Sequence, residues 1–228
     1  MKTILVTGAS RGIGRAIAEK FALGNKIILT GRNKAKLKET AEFVNKNGGE
    51  AVVVETDLSK PQNVVTLIKN LDISRLDILI NNAGIAVVAP LEELTLENWQ
   101  RTFDINVTAP FLLIQKLHTI MPKGSSIVNI ASVASKDGFP NWSSYCMSKF
   151  ALDGFTKSVR EELRAKDIRV INIYPGAVAT DIWNTVSGEQ DLDAMMKPES
   201  VANLLFAAVA QPSGTVVEDI TMRNLHDF

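Results

Sequence analysis

Seven short apolar runs alternate with helix-length segments along this chain, and that alternation limits its fold more than any other feature. The runs occupy residues 3–7, 26–30, 51–56, 76–80, 126–131, 169–174 and 216–221, and the longer segments fall at 12–23, 34–47, 61–71, 96–118, 143–166 and 198–210. Several runs are apolar almost throughout, Ile4-Leu5-Val6 and Ile78-Leu79-Ile80 most clearly. A strand wetted on one face alternates apolar and polar residues, so these strands are expected to be buried on both faces, as in a parallel sheet covered by helices. Strands that alternate with helices imply right-handed β-α-β units. The expected fold is α/β: a doubly wound parallel sheet of about seven strands with helices on both faces, one domain over residues 1–228.

Composition narrows the class of partner. Of the 228 residues 46% are hydrophobic, enough for one large core, and no repeat or linker marks a second domain. Lys plus Arg (25) equal Asp plus Glu (25), which removes the electrostatic footprint of a nucleic-acid or anionic-membrane partner. The opening Met1-Lys2-Thr3-Ile4-Leu5-Val6-Thr7-Gly8 is too short an apolar run for a secretory signal, and no stretch approaches the ~18 apolar residues of a membrane span. A cytoplasmic location is expected. Cys146 stands alone, which excludes an internal disulfide framework, and it is read as a packing residue. His118 and His226 have no partner pattern, so no metal site is expected.

The turn after the first run reads Thr7-Gly8-Ala9-Ser10-Arg11-Gly12-Ile13-Gly14 and opens a helix. Glycines there let the backbone turn tightly and let a pyrophosphate approach unpaired N–H groups at the helix N-terminus. The spacing Gly-x3-Gly-x-Gly resembles the glycine motif of the short-chain dehydrogenase/reductase family, a Rossmann-type fold. On that resemblance Gly8, Ser10, Arg11, Gly12, Ile13 and Gly14 hold a dinucleotide. At the end of the second run, an NAD-preferring site would place an acid for the ribose 2′-hydroxyl. Here Gly31 stands instead and Arg32 follows. Arg32 and Arg11 can pair with a 2′-phosphate, so NADP(H) is expected to be preferred over NAD(H). By the same resemblance Asp57 and Leu58 meet the adenine, while Asn82, Ala83 and Gly84, from Asn81-Asn82-Ala83-Gly84, let the backbone pass close to the cofactor. Pro175, Gly176, Val178 and Thr180 would flank the nicotinamide and pyrophosphate.

Tyr145 and Lys149 lie four residues apart near the start of a long helical segment, so they address one site. Carbonyl reduction needs a proton donor, and alcohol oxidation needs the corresponding base. An ammonium ~5 Å from the phenol would favour phenolate by about 3 kcal/mol at an effective dielectric of ~20. Ser132 follows Ile130-Ala131 with twelve residues between it and Tyr145. It matches the family's serine, which polarises the substrate oxygen, and Asn106 matches the asparagine that supports a water-linked proton path to the lysine. The resemblance therefore implies a catalytic set of Asn106, Ser132, Tyr145 and Lys149, with Tyr145 and Lys149 also touching the cofactor. It extends from Thr3 to about Thr221, with Met147 in place of a small residue and an Asp-Gly-Gly-like segment missing near the C-terminus.

Substrate choice is less legible. Residues 179–197 form a polar segment beyond the sixth run and are expected to act as a substrate lid. Val133, Phe139, Trp142, Trp183 and Met195 are candidates for an apolar wall. A small-molecule ketone, aldehyde or quinone is the leading substrate. Alternatives are a 3-oxoacyl-[acyl-carrier-protein], a pterin-type or sugar-type carbonyl, or no turnover at all in an NADP(H)-binding sensor or scaffold. Phe103, Phe111, Phe150, Leu152 and Phe155 stripe the helices from 96 and 143 and are read mostly as core packing; by resemblance these helices also form subunit contacts in a homodimer or homotetramer.

Overall fold

The computed structural model describes all residues except 187, 189, 213 and 226–228; His226 therefore lies outside the described residues. Seven strands form one sheet: β1 (Thr3–Thr7), β2 (Lys26–Gly31), β3 (Glu50–Glu55), β4 (Ile78–Asn81), β5 (Ser126–Ile130), β6 (Arg169–Pro175) and β7 (Asp219–Met222). Every pairing is parallel and the order is β3-β2-β1-β4-β5-β6-β7. The helices are α1 (Gly12–Lys20), α2 (Lys34–Lys46), α3 (Pro61–Asn70), α4 (Leu96–Phe103), α5 (Ala109–Leu117), α6 (Ser143–Arg164) and α7 (Pro198–Val209).

The apolar runs explain the layering. Within β1, Ile4 and Val6 join a core with α1, α2 and α7, whereas Leu5 joins a second core with α3, α5 and α6. Ile27 and Leu29 repeat the first direction and Ile28 the second. Each such side chain contributes about 1.5–3 kcal/mol when fully buried, which is why the strands tolerate no wet face. The helices start where local chemistry permits. Asn33 accepts from Lys36 N at 3.0 Å and Thr95 from Asn98 N at 3.2 Å, while Pro61 and Pro198 open α3 and α7 without wasting an N–H.

Two expectations are corrected. The segment 96–118 is not one helix: a π-helical turn over Asp104–Thr108 separates α4 from α5. Pro110 has no N–H for the carbonyl of residue 106, so a regular α-helix would leave a gap there, and wider bonding accommodates it. The last strand is Asp219–Met222 rather than 216–221, because Asp219 takes the register place beside Asn172. Val216 and Val217 instead pack on the first core from outside the sheet.

β1 lies between β2 and β4, so the chain leaves it in opposite directions on its two sides. That reversal opens a crevice at the carboxyl ends of β1 and β4, where ligands bind in sheets of this kind. Among the described residues no helix is long and apolar enough to cross a membrane.

Candidate active site

A cavity of about 1150 Å³ fills that crevice. At one end it is lined by Gly8, Ser10, Arg11, Gly12, Ile13, Arg32, Asp57 and Leu58, and at the other by Ser132, Tyr145, Lys149 and Trp142. Asn82, Ala83, Gly84, Pro175, Gly176, Val178 and Thr180 lie along it. Of the predicted site residues, only Gly14 and Asn106 stand back from its surface.

The glycine turn is shaped for an anion. No side chain caps α1, and no acid stands in its first turn, so its N-terminal N–H groups remain unspent. Gly12 has φ +53°, and a Cβ there would come within 3.0 Å of Thr180. Gly14 serves packing: its Cβ would fall 2.3 Å from the Gly8 carbonyl oxygen. Asn82 fastens this turn to β4. Its Nδ2 donates to the carbonyls of Thr7 (2.9 Å) and Gly8 (3.3 Å), and the Thr7 hydroxyl accepts from the N–H groups of Asn82 and Ala83.

At the end of β2, a Cβ on Gly31 would meet Ser10 Oγ and a Leu37 methyl at 3.7 Å, ordinary contact distances. A larger residue is thus tolerated at its first atom, and the missing acid is a matter of charge. Arg32 makes no salt bridge among the described residues and lines the cavity. Arg11 is paired across the cavity mouth with Asp181 at 2.5 Å, both side chains about half exposed. Burial raises the Asp57 pKa, but hydrogen bonds from Ser59 N and Oγ and the nearby Arg32 charge outweigh it, holding the carboxyl below its ordinary value.

At the other end, Lys149 is buried on α6 and donates from Nζ to the Ile130 carbonyl at 2.7 Å. Its Nζ stands 5.6 Å from the Tyr145 ring centroid. Burial pushes Lys149 down to about 8. Burial also pushes the Tyr145 phenol up to about 12, against a hydrogen bond with Ser132 that favours phenolate. Burial drives both groups toward their neutral forms, opposite to the depression of the phenol expected from the ammonium. Ser132 Oγ also accepts from Ala134 N at 3.1 Å, which fixes its rotamer beside the phenol.

Asn106 sits in the π turn, buried. Its Oδ1 accepts from Ile85 N and its Nδ2 donates to Ile85 O and Ser148 Oγ, each at 2.9 Å. Ser148 in turn donates to the Tyr145 carbonyl at 2.7 Å. Asn106 thus ties the loop after β4 to the N-terminal part of α6, and a Cβ on Gly84 would lie between Asn106 Oδ1 (3.4 Å) and Lys149 Nζ (3.7 Å).

Comparison with known proteins then decides the family. Residues 2–191 match the model of the short chain dehydrogenase family. The chain belongs to the short-chain dehydrogenase/reductase family. Sepiapterin reductase of Chlorobaculum tepidum is 34% identical, with 96% of this chain and 95% of that protein covered. The 3-oxoacyl-[acyl-carrier-protein] reductase of Synechocystis sp. is 36% identical over 93% of this chain and 91% of its own length. A solved structure of landomycin C-6 ketoreductase with bound NADP and rabelomycin superposes with a TM-score of 0.86 at 33% identity, covering 96% and 94% of the two chains. This short-chain dehydrogenase is therefore an oxidoreductase.

Several site features of this family member escape sequence reasoning. The Ile130 and Ile85 backbone groups carry no side-chain signal. Asp181 carries one, an acid beside Thr180 that could have been set against Arg11. Arg101 and Arg223 line the cavity mouth and come from α4 and the tail beyond β7. Of the proposed wall, Val133, Phe139, Trp142 and Trp183 line the cavity, whereas Met195 does not. The 179–197 segment is pinned at its base, where Met196 N donates to Ala177 O at 3.1 Å and Ala179 N to Met196 O at 2.9 Å. Between these points a short helical turn over Asp181–Thr185 leans on the cavity.

Proposed function

We propose that this short-chain dehydrogenase is an NADP(H)-dependent reductase of a small-molecule carbonyl, running in reverse as an NADP⁺-dependent alcohol dehydrogenase of the same pair, with Tyr145 as proton donor. The observation that carries this reading is that Ser132, Tyr145 and buried Lys149 line the same end of the cavity, with Lys149 one helical turn from Tyr145 and anchored to the Ile130 carbonyl. Bound NADPH supplies the hydride, so that the carbonyl gains one hydride and one proton and becomes an alcohol. Ser132 and Tyr145 donate to the carbonyl oxygen, and the proton passes from the Tyr145 oxygen as negative charge develops there.

The residues fit the cofactor. The uncapped start of α1 suits the pyrophosphate and Asp57 the adenine amino group. Arg32, with no acid at Gly31, suits a 2′-phosphate, and Lys149, beside Gly84, suits the nicotinamide ribose. Arg11 joins the 2′-phosphate only by leaving Asp181. Asn106, which holds Ile85 and Ser148, supports the Lys149 end of the proton path. Phe111 and Phe150 remain exposed on α5 and α6, the helices that the family resemblance assigns to subunit contact, and a cytoplasmic dimer or tetramer accompanies this reading. A second reading, reduction of a carrier-bound 3-oxoacyl thioester, is favoured by Arg101, a cavity-lining cation that an acidic carrier would meet; Arg223 also lines the cavity but is paired with Asp137 at 3.1 Å.

Titration with NADPH and NADH, followed by a carbonyl panel monitored at 340 nm, tests the proposal. Turnover of free ketones with NADPH is expected, and Arg32→Ala should weaken NADPH at least about tenfold while leaving NADH nearly unchanged. Equal losses for the two nucleotides would remove the 2′-phosphate assignment. Turnover confined to 3-oxoacyl thioesters would select the second reading.

A further inference from the structure

We infer that Trp142 and Trp183 form one aromatic wall of a slot that selects planar aromatic carbonyl compounds over saturated ones of the same size. The inference rests on reading the cavity as a carbonyl reductase site, and it concerns what the Tyr145 end recognises.

The two indoles arrive from different parts of the chain and meet beside the phenol. Trp142 directly precedes α6, three residues before Tyr145, and its ring lies 5.5 Å from the Tyr145 ring at an interplanar angle of 69°. Trp183 belongs to the 181–185 turn, and its ring lies 5.8 Å from Trp142 at 65°. The three rings therefore make a continuous edge-to-face series that starts at the proton donor and runs along the cavity wall.

Each indole is held in place. Trp183 Nε1 donates to the Val178 carbonyl at 2.8 Å, so its one polar atom is satisfied by backbone and the rest of the ring makes no polar demand on a ligand. Trp142 follows Asn141, which has φ +67°, a left-handed conformation that asparagine tolerates better than most residues. The Asn141 carbonyl accepts from Ala89 N, Trp142 N donates to Phe139 O, and Cys146 N donates to Trp142 O. A residue in an uncommon backbone conformation, fastened on both sides, fixes the entry of Trp142 into the cavity.

The surroundings suit a flat apolar ligand. Ile85, Val87, Val133, Phe139 and Ile182 complete the lining around the indoles. The carboxylates lining the cavity among the described residues are Asp57, at the nucleotide end, and Asp181, paired with Arg11. Ser132 and Tyr145 provide for a carbonyl oxygen. Any apolar ligand gains from burial here, but only an aromatic one can also make ring-to-ring contacts, which are directional and favour edge-to-face or offset geometry. Those contacts correspond to about 2–10-fold in affinity for each ring pair beyond the area buried.

The test compares 1-tetralone with 1-decalone, bicyclic ketones that share carbonyl position and ring size but differ in one aromatic ring. The holoenzyme is assayed as wild type, Trp183→Leu and Trp183→Phe. Intrinsic ketone reactivity cancels when one ketone is followed across variants, so the quantity read is the change in the tetralone-to-decalone ratio of kcat/KM. Trp183→Leu should lower that ratio about tenfold, chiefly through KM for tetralone, and Trp183→Phe should restore most of it. An unchanged ratio, or equal losses for both ketones, would overturn the slot while leaving the reductase reading intact. If neither ketone turns over, calorimetry on NADP⁺-loaded Tyr145→Phe decides. Tetralone binding tighter than decalone, lost in the added Trp183→Leu variant, supports the slot without the reductase; equal binding rejects it.

Discussion

The chain has two tyrosines, one on a helix and one on the sheet strand that follows it, with opposite consequences. Tyr145 sits on α6 and Tyr174 on β6, each with a lysine near its ring: Lys149 Nζ at 5.6 Å and Lys136 Nζ at 4.0 Å from the centroid. Burial raises the pKa of both phenols. Their oxygens differ. Tyr174 OH lies 2.6 Å from Asp153 Oδ1 and 3.0 Å from Asp219 Oδ1, and it accepts from Asn172 Nδ2 at 3.0 Å. Lys157 and Arg160 balance those two carboxylates at 2.8 Å each. Ionising Tyr174 would add a third negative charge to this closed group, so its proton stays. Tyr145 has Ser132 as its hydrogen-bond partner and a cavity in front of it. A raised pKa therefore does not by itself mark a proton donor. An oxygen that the fold leaves available to a ligand does.

The sharpest way to break this comparison is to delete each hydroxyl. Tyr145→Phe should lower kcat about 10²–10⁴-fold, the range of general acid catalysis, with NADPH affinity and unfolding midpoint nearly unchanged. Retention of wild-type turnover in a steady-state assay would remove Tyr145 from its proposed role.

Lys149 supplies the next largest effect, on stability. Its ordinary pKa of 10.5 falls to about 8 in the fold because burial penalises the ammonium. Below pH 8 both folded and unfolded chains hold this proton, and the cost of the buried charge is fully present. Between 8 and 10.5 the unfolded chain holds a proton that the folded chain has released, so the Lys149 contribution to stability improves as pH rises. Lys149→Met should therefore be more stable than wild type at pH 7, by about 3 kcal/mol at most. The lost bond to Ile130 O reduces the gain, and the advantage should shrink as pH approaches 10.5. Urea unfolding of the nucleotide-free protein at pH 7, 9 and 10.5 measures it, and a pH-independent difference would contradict the assignment.

Tyr174→Phe should act oppositely to Tyr145→Phe. It deprives buried Asp153 of a donor and should cost about 1–3 kcal/mol in urea unfolding, while kcat stays within a few-fold of wild type. A large loss of kcat with little loss of stability would mean that Tyr174 is more than a structural phenol.

Much of this was legible before the structure. Ile4-Leu5-Val6 reads as a strand buried on both faces, and the fold has two cores divided by that strand. Ser132, Tyr145 and Lys149 are singled out in the sequence by their match to the family pattern, and the fold brings all three to one cavity. What sequence could not supply was environment. The spacing of Lys149 and Tyr145 places an ammonium near a phenol, but the burial that pushes both toward their neutral forms depends on what α6 packs against. The π turn at Asn106 needed the conflict between Pro110 and a continuous helix to be weighed against the gain from bonding Ile85 and Ser148. Arg11, read as a phosphate ligand, meets Asp181 because the sheet brings together residues 170 positions apart.

The smallest expected effect tests whether the two lysine–tyrosine contacts are different in kind. Lys136 lies on the surface, donates to Thr221 Oγ1 at 3.1 Å and keeps its ammonium hydrated while it covers the Tyr174 ring. An exposed cation over an aromatic face contributes about 0.5–1 kcal/mol. Lys136→Ala should therefore destabilise the protein by that amount at any pH between 6 and 9 and leave kcat unaltered, in contrast to Lys149→Met, whose gain depends on pH. Urea unfolding of both variants in parallel gives the comparison directly. If Lys136→Ala costs several kcal/mol, or if its effect follows pH as that of Lys149 does, then Lys136 is desolvated and coupled to the Asp153–Tyr174–Asp219 group. The second tyrosine would then be a titrating site and not a fixed strut beneath the first.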